Sequence, residues 1–357
     1  MQRSFGSLEL AHRIKRNSAL SKLDALINWE SLRPLFKGLY KRDITHGGGQ
    51  EPFDSIMMFK AILLGQWHSL SDRALEESLL ARIDFMQFCG LDLSDPVPDE
   101  TTLCRFRNRL IKANLLKKLL KRINRQLQNH GLMIKEASGA VLDATLIESA
   151  ARPQKTIAID KDESGNEVVY EDGSCPGVQY ETRMSADPDA SWLKKGKASY
   201  FGYRGYLVTD AQDGYVTGVH TAPANQSEMT HFKAAIESSH LKSKRVYADK
   251  GSSSKENRAW LHERKIKSAI MHKACRNRPL TERQKLTNRL ISKKRFLIER
   301  CFGTLKRIFG MDRTSYLGTV KVNAQLLLKA ICMNCLKAAN KILKIHHPPG
   351  EIRLVNG

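Results

Sequence analysis

The stretch GAVLDATLIES, residues 139–149, decides the fold reading. Leu142, Ala144 and Leu146 alternate with Asp143 and Thr145, the period-two pattern of a strand rather than a helix. A second short apolar run, in KRVYADKGSS at 244–253, ends on Asp249. It too reads as a strand closed by an isolated acid. A third acid, Glu299, stands in RFLIERCFGTLKR at 295–307, inside a long basic helix. Between 281 and 308 there are nine Lys or Arg and only two acids, so a carboxylate placed there needs a reason. Two reasons stand side by side. Glu299 is a salt-bridge partner for Arg295, four residues earlier on the same helical face, or it is a ligand for a cation. Asp249 has a bland reading as well, as a cap ahead of Lys250 and Gly251.

Working outward, residues 1 to about 135 read as mostly helical. Pro52 opens the apolar helix FDSIMMFKAILLGQW, Ser71 begins DRALEESLLARIDFMQF, and TTLCRFRNRLIKANLLKKLLKRINRQLQNHG carries a polar face of Arg and Lys up to a stop at Gly131. Beyond Asp143 the composition turns acidic. Residues 150–190 hold nine acids against four bases, with Gly, Pro and Ser scattered through them, and read as an acidic insertion or flexible loop (150–197 at its widest). YFGYRGYLVTD and YVTGVHT flank Asp213-Gly214 as a hairpin. A helix at 226–239, the Asp249 strand, a helix through SSKENRAWLHERK and the short strand KSAIM follow. Long helices complete the chain, from Thr281 to about Gly310 and from 320 to 344, before a loose tail. This order predicts a mixed α/β layer structure behind an all-helical N-terminal region.

Bulk composition narrows the partners. The 357 residues carry 59 Lys plus Arg against 37 Asp plus Glu, a formal charge of +22. An excess of that size favours an anionic partner, nucleic acid before a membrane surface. The N-terminal MQRSFGSLELAHRIKR has no apolar core for export. No apolar run approaches the length of a membrane span, and IMMFKAILLG is broken by Lys60. Seven irregularly spaced cysteines point to a reducing compartment. There is no GxxxxGK[ST] loop, so nucleotide-driven chemistry is not indicated.

Three acids carried on separate elements in a basic chain suit the cutting of phosphodiesters. Two hard cations roughly 3.5–4 Å apart activate the attacking oxygen and stabilise the leaving one. Mg²⁺ takes oxygen ligands and keeps waters, so two or three carboxylates suffice. On this reading Asp143 bridges two ions, Asp249 helps hold one and Glu299 the other.

These settings together resemble the DDE transposases of bacterial insertion sequences, in the IS4/IS5-like superfamily and its IS5-like group. Asp143-Ala144-Thr145 is similar to that family's first acidic motif, and Tyr247-Ala248-Asp249-Lys250-Gly251 to its second. The third is a Tyr-x2-Arg-x3-Glu-x6-Lys signature, matched by Arg295, Glu299 and Lys306, with Ser292 at the tyrosine position. DPDASWLKKGKASYFGYRGY at 187–206 and residues 52–110 resemble further stretches of the group, so the likeness spans about 45–335.

The resemblance implies an RNase H-like catalytic core over 136–320, preceded by a helical domain over 1–135 for DNA-end binding and oligomerisation. A C-terminal helix at 321–345 and a flexible tail at 346–357 complete the expected organisation. It implies a catalytic and metal-holding triad of Asp143, Asp249 and Glu299, using two Mg²⁺ ions with Mn²⁺ as a substitute. It implies hydrolysis at the ends of an inserted element to free a 3′-OH, which then attacks target DNA. The partners implied are double-stranded DNA, as terminal inverted repeats and as target, and a second copy of the chain, a dimer on DNA. The location implied is the bacterial cytoplasm, at the nucleoid, without a membrane. Two other readings stay open: an RNase H-like endonuclease without strand transfer, and a non-catalytic DNA-binding protein.

Arg295 and Lys306, on the Glu299 helix, are expected to contact phosphates. Arg105 and Arg109, at i and i+4, are expected on a DNA-reading helix that also carries Arg107. Trp192 reads either as a stacking platform for an unpaired base or as packing. Other patterns carry less. Asp160, Asp162, Ser164, Gly165 and Glu171 approach a calcium-loop spacing but read as a polar turn. Cys332 and Cys335 read as buried thiols of a helix rather than a zinc pair. His220 and His231 have no partner visible in the sequence.

Overall fold

A computed structural model describes residues 18–40, 51–158, 179–183 and 185–346. The Gly-rich HGGGQ segment, the calcium-loop-like segment and the tail after His346 lie outside them. The regular structure of the N-terminal part is all helical among the described residues. It comprises α1 (Ala19–Leu26), a 3-10 turn (Glu30–Phe36), α2 (Ser55–Trp67), α3 (Asp72–Ala81), α4 (Ile83–Cys89), α5 (Glu100–Lys112) and α6 (Leu115–Asn129). Capping side chains set several starts: Asp54 accepts the Ile56 and Met57 N–H groups, Ser71 that of Ala74 and Asp99 that of Thr102. In α2, every residue from Ile56 to Gln66 is buried, the signature of a core helix rather than a surface one.

The sheet begins with β1 (Ala140–Glu148) and continues with β2 (Gln154–Ala158), β3 (Gln179–Arg183), β4 (Ser191–Lys195), β5 (Ala198–Asp210) and β6 (Val216–Pro223). Next come α7 (Glu228–Glu237), β7 (Arg245–Ala248), α8 (Lys255–Glu263), β8 (Lys267–Ile270), α9 (Glu282–Arg307) and α10 (Thr319–His346). Strand order is β4-β5-β1-β7-β8, with β6 on β5. β5 and β6 are the expected hairpin, antiparallel like β1 and β5, whereas β1–β7 and β7–β8 are parallel. A mixed sheet flanked by helices, behind a helical region, is the RNase H-like arrangement expected from the sequence.

The acidic segment is not all loop. Its two ends pair as β2 and β3 in a separate two-stranded ribbon, and β4 extends the main sheet beside β5. The sequence hid these strands because their residues (QKTIA, QYETR, SWLKK) lack the apolar alternation that marks a half-buried strand.

Side-chain parity divides the sheet between two apolar clusters. Ala140 and Leu142 of β1, Tyr206 and Val208 of β5, and Val246 and Ala248 of β7 face one cluster, which Phe232 of α7 and Trp260 of α8 complete. Val141, Ile147, Tyr203 and Leu207 face the other. That second cluster is continuous with α2, α5, α6, α9 and α10, so the N-terminal helices and the sheet share one core. Buried cations fasten the junction. Lys329 of α10 donates from Nζ to Ser69 Oγ at 3.2 Å and to the Phe309 carbonyl, joining the end of α2 to the turn after α9. Arg107, facing inward from α5, pairs with Asp72 of α3 at 2.5 Å and lies over the Tyr316 ring.

Candidate active site

Register brings the two aspartates together. In the parallel β1–β7 ladder Leu142 stands opposite Ala248, and Asp143 and Asp249 come one residue later on each strand. Parallel neighbours in register point to the same side. Leu142 and Ala248 both face the α7/α8 cluster, so alternation turns Asp143 and Asp249 to the face on which α9 packs. β7 ends at Ala248 while β1 runs on to Glu148, which leaves the Asp143 carboxylate at an open strand end.

Arg295 of α9 meets both acids there. Its Nη2 donates to Asp143 Oδ2 at 2.5 Å, and its Nη1 lies 3.5 Å from Asp249 Oδ1. The three side chains are 11, 16 and 32% exposed for Arg295, Asp143 and Asp249, so this pairing is largely shielded from water. Asp143 Oδ1 also accepts the Ala144 N–H at 2.9 Å. Burial pushes the Asp143 carboxyl above its usual range, against the pull of Arg295, and the neighbouring Asp249 charge pushes the same way. Asp249 caps the following 3-10 turn through the Lys250 N–H at 2.6 Å, so the cap reading holds, and the same side chain lies beside the Arg295 guanidinium.

The salt bridge weighed for Glu299 does not form: Arg295 is spent on the aspartates. Glu299 sits one turn further along α9, exposed to solvent, with no hydrogen bond or ion pair among the described residues. No group of three or more His, Cys, Asp or Glu side chains among the described residues is arranged to hold a metal ion. The donor chemistry nonetheless suits a hard divalent cation. Asp143, Asp249 and Glu299 offer carboxylate oxygens only, the donor type such an ion takes, and the two aspartates share one guanidinium.

A second arginine–acid pair flanks the site. Arg204 of β5 donates through Nη1 to Glu228 Oε1 at 2.5 Å and through Nε to the Ala224 carbonyl at 2.9 Å. Glu228, the first residue of α7, rests its other oxygen against Gly251, where a side chain at 251 would collide with it. Burial raises the Glu228 carboxyl, and the Asp143 and Asp249 charges raise it further. Sequence reasoning missed this acid. A glutamate following Ser227 looks like an ordinary helix start, and only the tertiary fold brings it to the Asp249 turn.

The remaining expected residues scatter by role. Lys306, two turns beyond Glu299, is half-buried and has no ion pair among the described residues, and desolvation lowers its ammonium pKa. Arg105 and Arg109 are exposed on α5, with Arg109 over the Tyr40 ring at 4.9 Å. Arg107, between them, is turned inward to Asp72 and is no part of a DNA-facing surface. Trp192 is 45% exposed and packs on Phe201 and the Arg152 guanidinium. Cys332 and Cys335 are buried thiols, as expected, and burial pushes Cys332 up to about 12. His220 and His231 are each other's partners, Nε2 to Nδ1 at 2.9 Å, and burial pushes His220 down to about 4.

The family profile described as "Transposase DDE domain" matches residues 135–335, and that described as "Transposase domain (DUF772)" matches residues 8–109. The chain belongs to the DDE transposases. It is 44% identical over 238 residues to the transposase for insertion sequence element IS1106 of Neisseria meningitidis serogroup B, covering 67% of this chain and 78% of that one. As a member of this family it is a DNA-cleaving enzyme of the transposase class. Among solved structures, the piggyBac transposase synaptic complex with hairpin DNA aligns over 95% of this chain and 76% of that one. Its TM-score is 0.42 at 11% identity, a likeness too slight to carry weight. No helix among the described residues is long and apolar enough to cross a membrane.

Proposed function

We propose that this transposase cuts DNA at the ends of an insertion element and joins the freed 3′-OH to target DNA in the same site. The observation that carries the reading is the pair of register-matched aspartates where β7 ends beside β1, already sharing one positive group. Asp143, Asp249 and Glu299 are the proposed catalytic and metal-holding residues, with two Mg²⁺ ions as cofactor and Mn²⁺ as a substitute. Bound there, divalent cations supply Lewis-acid activation of the attacking oxygen and charge stabilisation at the leaving oxygen.

The chain's own residues do the rest. The rigid β1–β7 ladder fixes Asp143 and Asp249 relative to each other. The covering α9 helix brings Glu299 and Lys306 along one face, where Lys306 is placed to meet a phosphate near the scissile bond. Strand transfer exchanges one phosphodiester for another, so it needs no nucleotide, in keeping with a sequence that has no phosphate-binding loop.

Residues 1–135 are assigned to binding element ends and to oligomerisation, and 136–320 to catalysis. The partners are terminal inverted repeats, target DNA and a second copy of the chain, at the bacterial nucleoid in the cytoplasm. Exposed Arg105 and Arg109 on α5 are the proposed base- or phosphate-contacting pair. The test is a pair of assays in Mg²⁺: cutting of an intact duplex carrying an element end, and joining of a pre-cut duplex ending in 3′-OH to a target plasmid. Joined products that disappear in Asp143→Asn support the reading. Cutting without joining selects the endonuclease alternative, and DNA binding with neither reaction selects the non-catalytic one.

A further inference from the structure

We propose that Arg295 is the resident counter-ion of the catalytic aspartates, and that a divalent cation enters only as its guanidinium withdraws. The inference rests on the metal-site reading above and concerns what occupies that site before any cation arrives.

Four observations converge. The guanidinium engages Asp143 Oδ2 at 2.5 Å and approaches Asp249 Oδ1 at 3.5 Å. It therefore uses the oxygens a cation needs, and it places a like charge in the cation's path. Its third nitrogen is badly served: Arg295 Nε is buried without an acceptor among the described residues, and an orphaned buried donor costs stability. The guanidinium is thus held by two acids, with only a weak further contact from Nη1 to Met271 Sδ at 3.7 Å. Glu299 follows Arg295 at i+4 and so lies on nearly the same helical face. A withdrawal that empties the aspartate pair also makes room for the third carboxylate.

Charge points the same way. Three carboxylates (Asp143, Asp249, Glu228) meet two guanidiniums (Arg295, Arg204) around the strand ends. Remove Arg295 and the deficit grows by one, a charge that a divalent ion neutralises. Arg295 acts through the aspartates, as a positioning residue. It holds two mutually repelling acids in register and keeps their site closed to metal.

The test measures Mn²⁺ binding to the full chain without DNA, by the electron paramagnetic resonance signal of free Mn²⁺. Arg295→Gln should bind Mn²⁺ roughly tenfold more tightly or better than the native chain. Arg295→Lys, which keeps the charge, should stay near native affinity. The double substitution Arg295→Gln/Asp143→Asn should lose the gain. Local misfolding would weaken binding, so a rise cannot come from damage. Equal affinity in the native chain and Arg295→Gln, both lost with Asp143→Asn, overturns the counter-ion role and leaves the metal site standing. Binding that never depends on Asp143 in any variant overturns both.

Discussion

Two buried arginine–aspartate pairs in this molecule are almost indistinguishable as bonds. Arg107–Asp72 and Arg295–Asp143 both measure 2.5 Å, with side-chain exposures of 10 and 29% against 11 and 16%. They differ in where the chain puts them. Arg107 joins two N-terminal helices, α5 to α3, and its cation lies against Tyr316. Arg295 lies where β7 ends beside β1, with a second carboxylate next to the first and its Nε without an acceptor among the described residues. Burial and bond length mark a strong pair. The strand end, the second acid and the missing acceptor separate a site from a staple.

The largest effect expected from breaking this comparison is catalytic. Asp143→Asn should lower DNA cutting and joining by roughly 10³-fold or more, since losing a cation ligand forfeits several kcal/mol of transition-state stabilisation. Asp72→Asn should leave the activity per folded molecule within a few-fold of native. Steady-state assays on the two variants, normalised to folded protein, check both. Equal losses would erase the distinction between the pairs.

Stability should separate them the other way. Asp72→Asn strands the Arg107 guanidinium in the interior, and breaking a buried pair from one side costs about 3–5 kcal/mol. Asp143→Asn leaves Arg295 its contact with Asp249 and should cost less. Urea unfolding of both variants measures the gap.

Much of this contrast was legible before any coordinates. The alternation in GAVLDATLIES gave β1, and with it the face on which Asp143 lies. The isolation of Asp249 at the end of an apolar run marked where β7 stops. Glu299 stood out because its helix is otherwise so basic. What the chain concealed depends on contacts between distant residues. Arg105, Arg107 and Arg109 look alike along the sequence, yet helical phase turns Arg107 inward while its neighbours stay in water. Arg295 was matched to Glu299 by i, i+4 spacing, but the aspartates lie 152 residues away along the chain for Asp143 and compete successfully for it. Glu228 carried no local signal at all. Strands β2 to β4 were missed because polar edge strands are stabilised by pairing rather than by apolar burial.

A third buried cation sharpens the staple side of the comparison. Burial pushes the Lys329 ammonium down to about 8 from its ordinary 10.5. Between those pH values the unfolded chain binds the extra proton, so this group makes stability rise as pH climbs from about 8 to 10.5 and adds no slope outside that window. The span corresponds to on the order of 3 kcal/mol. Thermal or urea unfolding across that range should show the slope in the native chain and a shallower one in Lys329→Met.

The smallest expected effects are at the surface, and they bear on which cations meet DNA. Lys306 is half-buried on the face of α9 that leads from Glu299, without an ion-pair partner among the described residues. Arg105 is exposed on a helix whose inner face is committed to the core. If each meets one phosphate, replacing either with Ala should reduce the slope of log affinity against log salt by about 1. The two should then part on chemistry. Lys306→Ala sits beside the reacting strand and should slow cutting at saturating DNA, whereas Arg105→Ala should weaken binding and leave the saturated rate unchanged. Binding titrations at several salt concentrations, paired with single-turnover cutting, measure both quantities on the same preparations. A Lys306→Ala variant that loses affinity but cuts at the native rate would move this lysine from the site to the general DNA-binding surface.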